Sequence, residues 1–428
     1  MSVAHRAIGI LAGGGSLPRE IAEHVTARGE DVHIVAIAGE VDEDLSPFPV
    51  TTVGWGQIGG MVRALKGAGC TDLVIVGSVR RPDLAALRPD LGFIRDLPAI
   101  LRIIAAGGDD SVLTRVVRFF EQKGFAVVAP ASVAPELLVG KGPLGRVAAD
   151  TAQEQDVALG FSVVRALGPY DVGQAVIVAG GRVVAIEGAE GTDAMTARAA
   201  QEGRRGWGVL VKRPKPGQEL RIDLPAIGPA TIARAAEAGL AGIAVLAGGA
   251  LAAERATLVQ RANDAGLFVQ GFEDAPTGDQ GDMRIQPDWQ LEKIGSLSPR
   301  ARHRADMRKG ATVLSELASS VPSQGTVVAG RNVLAVETGE GVAGLLERAR
   351  GLHQWGRRYS VRHAGVAVLV QESALGPAVA NAAAAGLAGL ALIGERSPAA
   401  DQAAKEANRL GLFMVALKAL QGEHAGKE

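Results

Sequence analysis

At 428 residues the chain exceeds what one ordinary hydrophobic core holds, which calls for two or three domains. Hydrophobic residues make up 47% and charged residues 21%, a balance that excludes a disordered chain. The net charge of −1 excludes a general attraction to nucleic acid or to anionic lipid; lipid contact would need a local patch, and no nucleic-acid partner is expected.

The segment AIGILAGGG, residues 7–15, reads as a short apolar strand ending in a glycine turn. These glycines break the apolar run too early for a signal peptide, and no apolar segment reaches the roughly 18–20 residues that span a bilayer. A cytoplasmic protein is therefore expected. Leu17, Ile21 and Val25 have helical spacing, Val32–Ile37 reads as a second strand, and a helix is expected around Gln57–Lys66. Cys70 is the sole cysteine, so no internal disulfide forms, which suits a reducing compartment. A strand over Leu73–Val76, helices near Ile94–Ala105 and Val112–Gln122, and a strand over Ala126–Ala129 complete an alternating pattern. Such alternation implies a parallel sheet with helices on both faces, a Rossmann-like domain over residues 1–132.

Residues 133–170 read as a linker followed by a helix over Ala152–Ala166. A second α/β unit follows over 171–272. Its strands are expected at Ala175–Val178, Val183–Ile186, Gly208–Lys212, Ile243–Leu246 and Leu267–Gln270. Helices are expected at Ala194–Gln201, from Gly228-Pro229 onward, and at Arg255–Asp264. Residues 273–323 are polar and irregular, with a helix only over Asp306–Ala318, and are read as a linker. Residues 324–420 then repeat the second unit. Val183, Ala185, Glu187, Glu190 and Gly191 recur as Val333, Ala335, Glu337, Glu340 and Gly341, and Gly228-Pro229-Ala230 as Gly376-Pro377-Ala378. Matches in one order over about 100 residues mark an internal duplication. The fold class expected is α/β, a Rossmann-like domain plus a second α/β domain duplicated in degenerate form.

Four stretches could carry chemistry. Gly13-Gly14-Gly15-Ser16, between strand and helix, is either a phosphate cradle or a structural turn; Pro18 stands where the dinucleotide fingerprint wants a third glycine. Arg80, Arg81 and Asp83 follow the third strand, as fork-shaped phosphate donors or as a solvated loop; Asp109 and Asp110 read as helix caps. In the acidic turn, Glu190, Thr192 and Asp193 suit a divalent cation, unless Thr192 or Asp193 is only the N-cap of the next helix. Lys212, Arg213 and Lys215 lie on a proline-stiffened loop that leads to Asp223, a set able to hold a diphosphate, a metal and a water. The second copy sharpens the choice. Thr192 and Asp193 become Val342 and Ala343, Lys212 becomes Gln371, and nothing stands for Lys215 or Asp223. Packing needs the retained frame, so the lost residues are the functional candidates.

Leu11–Pro18, Val79-Arg80-Arg81-Pro82-Asp83, Glu190–Met195, Val209–Lys212, Lys215–Gln218, Asp223-Leu224-Pro225 and Ile227-Gly228-Pro229 together closely resemble LpxI. That family is the UDP-2,3-diacylglucosamine pyrophosphatase of lipid A biosynthesis in certain Gram-negative bacteria. The likeness runs through residues 1–272. It implies Mg²⁺-dependent hydrolysis of UDP-2,3-diacylglucosamine to UMP and lipid X, 2,3-diacylglucosamine 1-phosphate, by water attacking the β-phosphorus, with the aspartate matching Asp223 essential. Asp223 and Asp193 are then expected to hold Mg²⁺, and Lys212, with Arg213 or Lys215, to neutralise developing charge. Thr192 joins them as a catalytic candidate. Gly13–Ser16, Arg80, Arg81, Asp83 and Glu190 are expected on the substrate side. Peripheral contact with the inner membrane and a homodimer are both compatible with the resemblance. Two rivals stand beside it: an NAD-dependent enzyme using the glycine loop, and a non-catalytic nucleotide-sugar or lipid-binding regulator.

Overall fold

In the first 150 residues the apolar strands alternate with amphipathic helices, and the three long strands Ala7–Ala12, Asp31–Ile37 and Cys70–Val76 are apolar on both faces. That is the requirement for a parallel sheet covered on both sides. The computed structural model describes residues 7–79, 87–104, 109–200, 203–274, 288–352, 364–370 and 375–420. The chain divides into two compact units, one of Met1–Ala148, Gln218–Ala233 and Val245–Phe272, the other of Ala149–Gly217, Arg234–Ala244 and Glu273–Glu428.

The first unit carries a five-stranded parallel sheet in the order Val50–Val53, Asp31–Ile37, Ala7–Ala12, Cys70–Val76, Ala126–Val127. Ile10 stands opposite both Ile34 and Val74. Along the central strand, Ile8, Ile10 and Ala12 face a core with Ile21, Val25 and Ile34, while Ala7 and Leu11 face another with Leu65, Leu73 and Phe120. The helix Leu17–Ala27 starts with Pro18 in its first turn, where a missing N–H costs nothing, and buries Ile21, Ala22 and Val25. The edge strand Val50–Val53 escapes sequence reading, because its two threonines leave only Val53 buried.

The duplication is visible as topology. One six-stranded sheet runs Gly142–Pro143, Phe268–Phe272, Gly242–Leu246, Val209–Lys212, Ala175–Ala179, Arg182–Ile186. The other runs Asp288–Lys293, Phe413–Leu420, Gly389–Ile393, Val366–Leu369, Gly325–Ala329, Asn332–Val336 in the same order. Each contains an antiparallel hairpin closed by a two-residue turn at positive φ: Gly180-Gly181 at 57° and 73°, Gly330-Arg331 at 59° and 70°. A carboxylate from the preceding helix clamps each turn. Asp156 accepts the N–H groups of Gly180 (2.9 Å) and Gly181 (2.6 Å), and Asp306 those of Gly330 (3.1 Å) and Arg331 (2.7 Å).

Residues 273–323 hold more structure than an irregular linker. Asp288–Lys293 is a strand paired antiparallel with Phe413–Leu420, and the helix spans Ala301–Leu317. Only Trp289 of that edge strand is buried, and the helix buries His303 and Asp306 beside Met307, so polar residues mask both periods.

Candidate functional site

The open end of the first sheet is formed by two glycine segments that cross. The strand order reverses between Ala7–Ala12 and Cys70–Val76, and just past their ends the Gly14 N–H donates to Ser78 O (2.8 Å) while Ser78 N–H donates to Gly14 O (2.9 Å). Such a reversal is where open α/β sheets take ligands. A Cβ on Gly13 would lie 2.4 Å from Ser78 O and 2.9 Å from Gly77 C, so only glycine permits the crossing. Gly13 N–H is taken by Val76 O (2.9 Å), and Gly15, at φ 90°, donates its N–H to Asp42 Oδ1 (2.7 Å). The Ser16 hydroxyl donates to Glu20 (2.6 Å). The three glycine N–H groups thus have partners within the protein, and an anion at Gly15 must displace Asp42. Sequence reading missed Asp42, which lies on a different loop. Arg80, Arg81 and Asp83 lie outside the described residues.

Asp223 sits on the segment Gln218–Pro225, also in the first unit. Alternation decides how this segment is held. Ile222 packs against the Leu65–Phe120 core and Leu224 against the Ile10–Leu251 core, leaving Asp223 half-buried between them. The buried Gln218 donates its side-chain amide to Asp223 Oδ2 (2.5 Å), and Asp223 N–H donates to Glu219 O (3.0 Å). Arg221 is anchored by Glu219 and Glu121, each at 2.7 Å. One carboxylate oxygen is therefore committed to Gln218, which the sequence offered only as part of a motif. Among the described residues no group of three or more His, Cys, Asp or Glu side chains gathers as a metal site. Mg²⁺ commonly binds through one or two carboxylates plus water and substrate phosphates, so a single aspartate such as Asp223 fits that donor set.

The acidic turn is in the second unit, and its helix, Gly191–Ala199, begins with Glu190 in the capping position. Thr192 and Asp193 therefore stand in the first turn, and the N-cap alternative for either does not hold. Thr192 donates its hydroxyl to the buried Glu187 (2.8 Å), whose other oxygen accepts Gln174 N–H (2.8 Å); Asp193 is exposed. In the second copy the same carboxylate, Glu337, accepts Gln324 N–H (2.7 Å) but closes its turn on Gly339 N–H (2.6 Å) and Gly341 N–H (3.0 Å). Val342, in the place of Thr192, joins the apolar core. Glu190 accepts from Arg198 (3.0 Å) and, across the copies, from Arg348 (3.1 Å), so in this arrangement it holds cations of the protein. Ala189 N–H also donates to Leu334 O (3.0 Å), and a Cβ on Gly188 would lie 2.3 Å from that oxygen. The second copy thus grips the turn through main chain and side chain.

Lys212 is buried at the end of its strand. Arg213 is buried too, with Phe161 beneath its guanidinium (5.9 Å to the ring centre), and shares Asp274 with Arg165. Burial pulls its pKa below the usual arginine range. Lys215 pairs with Asp171. Arg213 and Lys215 are committed to carboxylates on other elements. Asp171 and Asp274 carry no motif, so nothing short of the fold reveals them.

Comparison with known proteins finds one family along most of the chain. The LpxI N-terminal domain family matches residues 7–137, and the LpxI C-terminal domain family matches both 140–270 and 292–415. A protein named UDP-2,3-diacylglucosamine pyrophosphatase LpxI, from Caulobacter vibrioides, is 41% identical over 275 residues, 63% of this chain and 98% of that relative.

Proposed function

Because the chain belongs to the LpxI family, we propose that it hydrolyses the diphosphate of UDP-2,3-diacylglucosamine, releasing UMP and lipid X. The observation that carries this reading is the segment between the strand Val209–Lys212 and the helix Pro229–Glu237. It holds Asp223 between two apolar anchors with Gln218 on one oxygen, and the second copy has no room for it, since Val366–Leu369 leads to Leu375–Ala384 through residues 370–374 alone. Packing of the duplicated frame does not need Asp223, yet the first copy fixes it.

In this reading Gln218 fixes one oxygen of the Asp223 carboxylate and leaves the other to orient a water toward the diphosphate. As the water oxygen bonds to the β-phosphorus, the bond from that phosphorus to the bridging oxygen breaks, UMP leaves, and the water's proton passes to solvent. Mg²⁺, held by Asp223 and substrate oxygens, would neutralise charge on the diphosphate, with Asp193 as a further carboxylate candidate. Lys212, buried and absent from the second copy, is assigned to charge that builds on the phosphoryl oxygens. Thr192 and Asp193 are retained because the copy replaces them with Val342 and Ala343. Ser16 is left as the contact of the glycine loop whose hydroxyl can turn from Glu20 to a phosphate. Arg213, Lys215 and Glu190 are assigned to holding their own loops, since each is committed to a partner. We further assign residues 324–420 to supporting the acidic turn through Leu334 and Arg348.

The test is turnover by the full chain in ¹⁸O-labelled water with Mg²⁺. UMP and lipid X are expected in equal amounts, with the label in the lipid X phosphate. Binding of the UDP-lipid without UMP would make the protein a binder instead, and label in UMP would move the attack to the α-phosphorus.

A further inference from the structure

We propose that the outward face of the helix Leu91–Ile104 docks on an anionic bilayer surface. Among the described residues ten large hydrophobic side chains are exposed, and four of them lie on this one helix: Leu91 (85% exposed), Ile94 (57%), Leu97 (39%) and Leu101 (55%). Their spacing puts them, with Pro98, along one stripe. Ala99 and Ile103, on the other side, pack against the core of the first unit, so the apolar stripe is not the helix's means of attachment.

The charges favour lipid as the occupant. Arg95, 65% exposed, and Arg102 border the stripe. The acids on and before the helix are engaged: Asp90 accepts the N–H groups of Gly59 (3.2 Å), Gly60 (2.8 Å) and Phe93 (2.8 Å). Asp96, 11% exposed, accepts Lys123 Nζ (2.6 Å) as well as the Arg95 guanidinium (3.2 and 3.3 Å), so two cations share one acid. Arg115 adds a further cation, reaching the Arg102 carbonyl (2.6 Å). An aliphatic stripe bordered by arginines, with cations in excess of the acids around it, matches helices that lie in the plane of an anionic interface. Protein interfaces centre instead on aromatic anchors, and this stripe has none. The inference deepens the hydrolase reading, since a diacylated substrate is met at a bilayer, but vesicle binding is read without turnover.

The experiment is cosedimentation of the full chain with phosphatidylcholine vesicles, with and without phosphatidylglycerol. Binding is expected only to the anionic vesicles and is expected to weaken with salt. The double variant Ile94→Asp/Leu101→Asp should lose about tenfold or more in vesicle affinity. Its melting temperature and its UMP release from detergent-dispersed substrate should stay as in the parent. Arg95→Gln/Arg102→Gln should lose the preference for phosphatidylglycerol. Equal sedimentation of parent and Asp variant overturns the inference, and so does a parent that ignores anionic vesicles. A variant that instead halves the solution mass makes the stripe a contact between copies of the chain, which also overturns it. Vesicle binding without any UMP release would sink the hydrolase reading and leave this surface standing.

Discussion

Arg348 shows what a single residue of the second copy does for the first. Its guanidinium, 10% exposed, spans Glu340 of its own turn and Glu190 of the acidic turn, and also donates to Val336 O (2.8 Å). Burial raises the Glu340 pKa, but the Arg348 charge and the Thr338 N–H outweigh it and hold the carboxyl below the usual range. Arg348→Ala leaves Glu340 without its cation and Glu190 with Arg198 alone, so a loss of about 3 kcal/mol is expected in denaturant unfolding. Arg348→Lys should recover only part of it, because one ammonium cannot reach both acids in fork geometry. His303 offers a pH handle. Burial pushes its imidazole down to about 4, with the Arg302 and Arg300 charges adding, against an ordinary 6.5. Its contribution is full above pH 6.5 and is lost as pH falls toward 4. Asp306, raised by burial to about 6 against the pull of two N–H bonds, has the opposite sign: its contribution is full below about 4 and is lost as pH rises through 6. His303→Gln should therefore reduce the stability lost between pH 7 and pH 4.5 by about 2 kcal/mol, measured by urea titration at each pH.

At the scale of elements, the glycine loop is built for a backbone crossing as much as for an anion. Gly13→Ala forces a Cβ against the Ser78 carbonyl, neither of which is a flexible side-chain end. A loss of about 2 kcal/mol or more in stability is expected, and a variant as stable as the parent would mean that the two segments do not cross this closely. The central strands of the first sheet were legible as continuous apolar runs, and its helices by an apolar period of 3.6. Val50–Val53 and Asp288–Lys293 were not, because edge strands bury little and carry polar residues. The hairpin clamps were hidden for a different reason. Asp156 and Asp306 look like the polar face of a helix until the turn of Gly180 or Gly330 is folded onto them.

For the whole molecule, the repeat was plain in sequence as ordered matches, and the identical strand orders give it a structural form. Which candidates are available for chemistry was less legible, since that depends on partners far along the chain: Asp274 for Arg213, Asp171 for Lys215, Asp42 for Gly15 and Arg348 for Glu190. Gln218 for Asp223, Glu187 for Thr192 and Glu20 for Ser16 lay close enough along the chain to be read beside their partners. Removing residues 275–428 would uncover Gly188 and Ala189 and take Arg348 from Glu190. Such a chain is expected to melt lower and to turn over more slowly than the full chain, and equal stability with equal UMP release would show that the repeat supports nothing in the first copy. The most direct measurement is UMP release by Asp223→Asn, which keeps the shape of the side chain and its neighbour Gln218 while removing the charge. A fall of about 100-fold or more in kcat is expected, with the melting temperature unchanged, and turnover within a few-fold of the parent would contradict the assignment of Asp223 to the hydrolysis.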